Sequence, residues 1–219
     1  MSQKLVVASL VRNEAHKYFA SCMREWEKFA DRILVLDDDS DDDTRAIALD
    51  CPIAIVETRG GRKRAWGAES RARSDLWDFA LSETRGDDVI LFLDADMVPA
   101  RNPRDLIHAH ADTYFFTLYD LWSAREYRSD FWWRGHINPR AWMIRRPSDD
   151  FVANWTDAGI HCGHLAPNYV PENSIIAPSE WPTMWARSTS MWSSSARMSA
   201  ACTSKPPAGA RLLPYPRRW

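Results

Sequence analysis

Four short runs of apolar, largely β-branched residues limit what this chain can fold into. Residues 4–11 (KLVVASLV), 32–36 (RILVL), 53–57 (IAIVE) and 88–93 (DVILFL) have the pattern of strands buried on both faces. Helical spacing separates them. Phe19, Met23, Trp26 and Phe29 recur on one face of a stretch that opens at Arg12-Asn13-Glu14 and runs to about residue 30. Residues 44–49 read as a short helix, and Leu76, Phe79 and Ala80 share a face of a longer one over about 67–83. Strands alternating with helices predict an α/β domain whose sheet is mostly parallel, with right-handed crossovers. Such sheets hold ligands at the carboxyl ends of their strands. Three of the four runs end in polar clusters: Arg12-Asn13-Glu14, the acidic run 37–43, and Asp94-Ala95-Asp96. The polar chemistry is therefore expected at one rim.

Composition narrows the function classes. The chain has 219 residues, 26% of them charged, and a formal net charge of −2, so no basic excess points to a nucleic acid partner. Cys22, Cys51, Cys162 and Cys202 are scattered without a CxxC pair, which argues against a zinc module or a disulfide framework. The N-terminal apolar stretch is too short for a signal peptide, and nothing approaches the roughly 20 apolar residues of a transmembrane segment. A reduced, cytoplasmic compartment is the default expectation. Twelve tryptophans suit core packing first and sugar stacking second.

The texture changes after Pro99. Residues 112–119 and 141–145 read as strands around an aromatic loop, DLWSAREYRSDFWWRGH, and the segment NWTDAGIHCGHLAP follows with His161 and His164. The domain reading is thus a first half over 1–100 and a second half over 101–178 of a single domain, followed by an atypical tail over 179–219. That tail is too rich in Trp for ordinary disorder and has no sustained amphipathic period. It is expected to be a frameshifted reading of a helix, or else a poorly ordered native tail. The codons of Trp181 to Ala186, read one base earlier, permit Ala-His-Tyr-Val-Gly.

Two aspartates one residue apart, just past a buried strand, can hold a divalent cation and the phosphates it bridges; hard oxygen ligands suit Mn²⁺ or Mg²⁺. Asp94 and Asp96 meet that requirement. In the run 37–44, Asp42, Asp43 and Thr44 fit the N-terminus of a helix, whereas Asp37 and Asp38 lie closer to the strand end, where a carboxylate can accept from a base N–H. Arg59, Arg62, Lys63 and Arg64 form a basic loop that is either a mobile phosphate clamp or simply solvated.

Taken together, ASLVRNEAHKYFASCM, ADRILVLDDDSDDDTRAIA, ESRARSDLWDFAL and DDVILFLDADMVP resemble the family-2 glycosyltransferases of the GT-A fold, in order and spacing, over residues 4 to about 100. The family pattern D-D-G-S-x-D-x-T appears here with Asp39 in place of the glycine. The resemblance implies a GT-A-type, Rossmann-like sheet flanked by helices, with an aromatic-rich acceptor-side extension. It implies transfer of a sugar from a nucleotide-sugar donor, commonly a UDP-sugar, to a saccharide or other hydroxyl-bearing acceptor, with inversion. By the same resemblance Asp37 or Asp38 contacts the base, Ser9, Arg12 and Glu14 line the nucleoside pocket, and Arg73 lies near the donor. Asp94 and Asp96 then match the D-x-D, with His164, or else His161, as a further metal ligand. A general base is expected on the acceptor side: Asp130 beside Phe131-Trp132-Trp133, with Asp120 and Glu126 as alternatives. Two rival readings are a non-catalytic nucleotide-sugar-binding relic with a truncated acceptor site, and a nucleotidyltransferase. The second conflicts with the lack of a glycine after the first strand.

Overall fold

The computed structural model describes residues 3–60, 69–107, 111–123, 126–128, 140–155 and 164–177, and two further short strands at 183–185 and 212–214; for 120–123, 126–128, 140 and those last strands it describes the backbone alone. Strands β1 (Leu5–Val11), β2 (Arg32–Asp37), β3 (Ala54–Thr58) and β4 (Val89–Phe92) are the four expected runs, and all pair in parallel. They extend through β9 (Arg140–Arg145), β6 (Thr113–Phe116) and β10 (Ser174–Ile176) into a seven-stranded sheet of order β10-β6-β9-β4-β1-β2-β3. Only β9 runs against its neighbours β4 and β6, so the sheet is mostly parallel, as expected.

Both faces are covered, which is why the strand runs carry no polar alternation. Leu5, Val7 and Val11 of β1 join Ile33, Val35 and Leu91 against helix α1 (Phe19–Trp26) and Ala48 of helix α2 (Thr44–Leu49). Val6 and Ala8 join Leu34, Ile90 and Phe92 against Leu76, Trp77 and Ala80 of helix α3 (Glu69–Glu83). Trp77 stacks on Phe92 at 5.5 Å and meets Phe151, Trp155 and Tyr169 edge-on or tilted, so these three rings close this second core. Trp26 and Trp77 are fully buried, and the Trp26 indole donates to the Met97 carbonyl at 2.8 Å. For these two rings, packing is the observed role.

Several expectations need correction. Helix α1 starts at Phe19, not near Arg12. Asn13 takes a positive φ of 51°, and the Glu14 and Ala15 amides are occupied by Thr44 Oγ1 and Asp42 Oδ2, so residues 12–15 are bound as a turn against the acidic run. The expected strand 112–119 breaks at Thr117: β6 stays in the main sheet, while β7 (Leu118–Ser123) enters a second one. The expected aromatic loop contributes β7 and β8 (Glu126–Arg128), which pair antiparallel. That second sheet, β12-β8-β7-β11-β5, takes β5 (Met97–Pro99) from just past the Asp94 turn. From the atypical tail it takes β11 (Thr183–Trp185) and β12 (Leu212–Pro214). Finally, Asp43 stands at the N-cap of α2 without a side-chain cap bond; the neighbouring Asp42 accepts from the Thr44 amide at 2.9 Å instead.

Asp39, where the family pattern has glycine, holds φ at +60°. The left-handed turn survives because aspartate tolerates that region better than branched residues. Asp39→Gly is expected to stay within about 1 kcal/mol of the parent in urea unfolding, and Asp39→Val to cost about 1–2 kcal/mol.

Candidate active site

The carboxyl ends of β1, β2, β3 and β4 form one rim, and two clusters of charge occupy it. The first lies where β2 ends. Asp37 and Asp38 are both 2% exposed. The Asp38 amide donates to the Val11 carbonyl at 2.9 Å, which seats the turn beside the end of β1. The Asp37 carboxylate accepts from the Ser40 amide and hydroxyl, and Ser40 Oγ in turn accepts from the Asn13 amide at 3.0 Å. Asp38 is held by two guanidinium groups. Arg12 Nη1 donates to its carbonyl at 2.7 Å and lies 3.5 Å from Oδ2, while Arg59 Nη1 pairs with Oδ1. Arg59 Nε also donates to Asp75 Oδ2 of α3 at 2.8 Å. Arg59 is therefore a buried, doubly paired residue and not part of a mobile or solvated loop; Arg62, Lys63 and Arg64 lie outside the described residues.

The second cluster lies where β4 ends. The Met97 amide donates to the Asp94 carbonyl at 3.0 Å, closing a turn over Asp94-Ala95-Asp96. Asp94 Oδ1 accepts from Arg73 Nη2 at 2.9 Å and from His164 Nε2 at 2.9 Å. Arg73 sits on the face of α3 toward the rim and also pairs with Glu69, one turn earlier, at 3.1 Å. His164 lies against the Trp142 ring with centroids 4.1 Å apart. Burial alone would push the Asp94 carboxyl up, but His164 and Arg73 hold it well below the usual carboxylate range. Burial also pushes the His164 pKa down, partly against the pull of Asp94, so the ring is neutral near pH 7 and donates its Nε2–H to an ionised Asp94.

Asp96 acts on other groups. Burial pushes the Glu14 carboxyl up, Lys17 draws it back, and Asp96 and Asp42 push it up again. Burial raises the Cys22 thiol, with Asp96 adding to the effect. Asp96 is thus near enough to Glu14 and Cys22 for its charge to bear on both. Ser9 is fully buried on β1, and among the described residues its Oγ has no hydrogen-bond partner.

Of the sequence-predicted site residues, Arg12 and Asp38 come together, as do Arg73, Asp94 and His164. Helix α3 spans both groups, because Asp75 reaches the first and Arg73 the second. The backbone alone is described for Asp120 on β7 and Glu126 on β8; Asp130 and His161 lie outside the described residues. Glu69, Asp75 and Trp142 were not singled out from the sequence. Arg59 was, but as a loop residue, although its place one step past β3 puts it on the same rim as the other strand ends.

The sequence model of the family described as Glycosyl transferase family 2 matches residues 11–167, well over half the chain. The chain belongs to that family. Several solved structures are also similar to it. One is the glucosyl-3-phosphoglycerate synthase of Mycobacterium tuberculosis in complex with phosphoglyceric acid: 21% identical, TM-score 0.39, covering 53% of this chain and 44% of that one. The same enzyme in complex with Mn²⁺, UDP and glucosyl-3-phosphoglycerate matches at 20% identity and a TM-score of 0.40, again over 53% and 44%. A 4-diphosphocytidyl-2C-methyl-D-erythritol synthase matches at 14% identity and a TM-score of 0.42, covering 67% of this chain and 76% of that one. This chain thus spans less than half the length of the mycobacterial enzyme. No curated protein matches it. Among the described residues no helix is long and apolar enough to cross a membrane.

The Arg73–Asp94 pair is buried enough to be measured in the ligand-free protein, with side-chain exposures of 8% and 27%. A double-mutant cycle of Arg73→Met and Asp94→Asn in chemical denaturation at neutral pH is expected to give a favourable coupling of about 2 kcal/mol. Each single change leaves a charge without its main partner, so the double variant should be more stable than the two single losses predict.

Proposed function

We propose that this chain is a metal-dependent glycosyltransferase. It moves a sugar from a nucleoside diphosphate sugar, UDP-sugars first among them, to a hydroxyl of a saccharide or other acceptor, with inversion at the anomeric carbon. The observation that carries the reading is Arg73: its guanidinium is buried beside Asp94 and His164, yet among the described residues its Nη1 has no hydrogen-bond partner. A buried donor left open is costly, and a phosphate oxygen of the leaving diphosphate would satisfy it.

The residues also fit a divalent cation. Asp94 Oδ1 and His164 Nε2 are 2.9 Å apart, close to the separation of about 3 Å between adjacent ligands that each lie about 2.1 Å from an octahedral ion. Among the described residues no three His, Cys, Asp or Glu side chains close on one point. Asp94 and His164 would hold Mn²⁺ or Mg²⁺ directly and Asp96 through a bound water, and the ion would neutralise the departing diphosphate. To serve as a ligand through Nε2, His164 would carry its proton on Nδ1, and Asp94 would lose that hydrogen bond.

On the base side, Asp38 accepts a base N–H, while Ser9, Arg12, Glu14 and Asp37 border the nucleoside. The acceptor hydroxyl needs a carboxylate base, for which Asp120, Asp130 and Glu126 are the candidates. Backbone register favours Asp120: Met97 pairs with Trp185 and Trp185 with Asp120, which puts Asp120 two strand spacings, about 10 Å, from the residue that follows Asp96.

Thermal-shift measurements with UDP-, GDP- and dTDP-sugars test this. One of them with Mn²⁺ is expected to raise the melting temperature by about 5–10 °C at roughly 100-fold excess over Kd, and a chelator to abolish the shift. Asp94→Asn and Asp96→Asn should remove the metal-dependent part. No shift from any nucleotide with metal refutes the proposal, and a shift without release of nucleoside diphosphate points to a binding relic.

A further inference from the structure

Strand β9 gives Trp142 an irregular place. The strand runs against β4 and pairs with it as far as Met143 and Leu91. Trp142, one step back from Met143, is one step closer to the carboxyl end of β4, which Asp94 follows. On the other side of β9 the register with β6 goes from Tyr114–Met143 to Phe115–Ala141, so β9 carries one extra residue there, Trp142. Successive residues of a regular strand point to opposite faces, yet Met143 and Trp142 join the same apolar core. A bulge re-aims a side chain, and here that side chain is an indole, 2% exposed, in contact with the His164 ring. The two ring centroids are 4.1 Å apart and the planes are tilted by 52°.

An imidazole needs more than one contact to be held. Its ring turns about a broad torsion, and the hydrogen bond from Nε2 to Asp94 Oδ1 at 2.9 Å fixes one atom while the rest of the ring can swing about it. Metal-ligating histidines are usually fixed by a hydrogen bond at the second ring nitrogen; among the described residues none reaches His164 Nδ1. The broad face of an indole seated in the core restrains the ring by contact instead. Resting on the metal role proposed above for His164, we propose that Trp142 is a positioning residue: its indole, aimed by the bulge in β9, holds the His164 imidazole with Nε2 toward Asp94, so that both side chains stand ready before the cation arrives. A ring ordered in advance loses no further rotational freedom on ligation, and the cation binds more tightly for it. The effect of Trp142 passes through His164.

The affinity of the full chain for UDP, GDP and dTDP, measured by calorimetry with Mn²⁺ and again with a chelator, tests this. The ratio of the two affinities is the gain due to the metal, and a change in folded fraction cancels from it. For the nucleotide that binds best, Trp142→Leu is expected to lower the gain about tenfold, and Trp142→Phe, which keeps a smaller ring, about threefold. In a His164→Ala background there is no imidazole to hold, and either change should alter the gain by less than about twofold. A second readout uses no metal. Histidine-selective nitrogen NMR should show a hydrogen-bonded Nε2–H that His164→Ala removes; Trp142→Phe should keep it, and Trp142→Leu should lose it to exchange with water. Should Trp142→Leu fail to fold, judged by the dispersion of its amide spectrum, Trp142→Phe carries the same cycle. The proposal is overturned by folded variants that keep the parent gain, by an Nε2–H signal that survives Trp142→Leu, or by equal losses of gain with and without His164. A parent whose nucleotide affinity is indifferent to Mn²⁺ removes the proposed function itself, and that outcome is seen before any variant is made.

Discussion

Carboxylates crowded at one end of a sheet repel one another, and in this chain two buried guanidinium groups answer that repulsion. Arg73 lies between Glu69 and Asp94, and Arg59 between Asp38 and Asp75. Three of these six residues, Glu69, Arg73 and Asp75, come from the first half of helix α3. Remove either arginine and the rim keeps its acids without their counter-charges, in surroundings where water screens poorly. The geometry of both clusters therefore depends on how α3 seats on β1 and β2.

That seating is itself a packing result. Trp77 and Leu76 lie on the α3 face that meets Ile90, Phe92 and Leu34, and Phe151, Trp155 and Tyr169 pack on Trp77. His164, five residues before Tyr169, reaches Asp94. One aromatic cluster thus connects the apolar core to the polar site, and the position of the histidine follows from the packing of its neighbours.

Much of the first hundred residues was legible in advance. The strand runs at 32–36, 53–57 and 88–93 fall within a residue of β2, β3 and β4, because doubly covered strands must be apolar throughout and little else produces that pattern. Asp94, Asp38 and Arg73 were legible as rim residues because each sits at a strand end or on the helix facing it. The start of α1 was misread, since the hydrogen bonds that hold residues 13–15 come from Ser40, Asp42 and Thr44, some thirty residues away. The strands β7 and β8 were hidden inside an aromatic, charged stretch whose pattern does not alternate, and β5 is three residues long.

Sequence alone determined the parallel core, the rim on which the charged residues collect and the family, because these follow from local apolar runs and short motifs at strand ends. Tertiary structure decided the pairings. It paired Asp94 with Arg73 of α3, made Arg59 a buried anchor for Asp38, and brought His164 onto Asp94 from seventy residues away. Such choices depend on which side chains meet after the helices pack, and spacing along the chain does not encode a contact made through space.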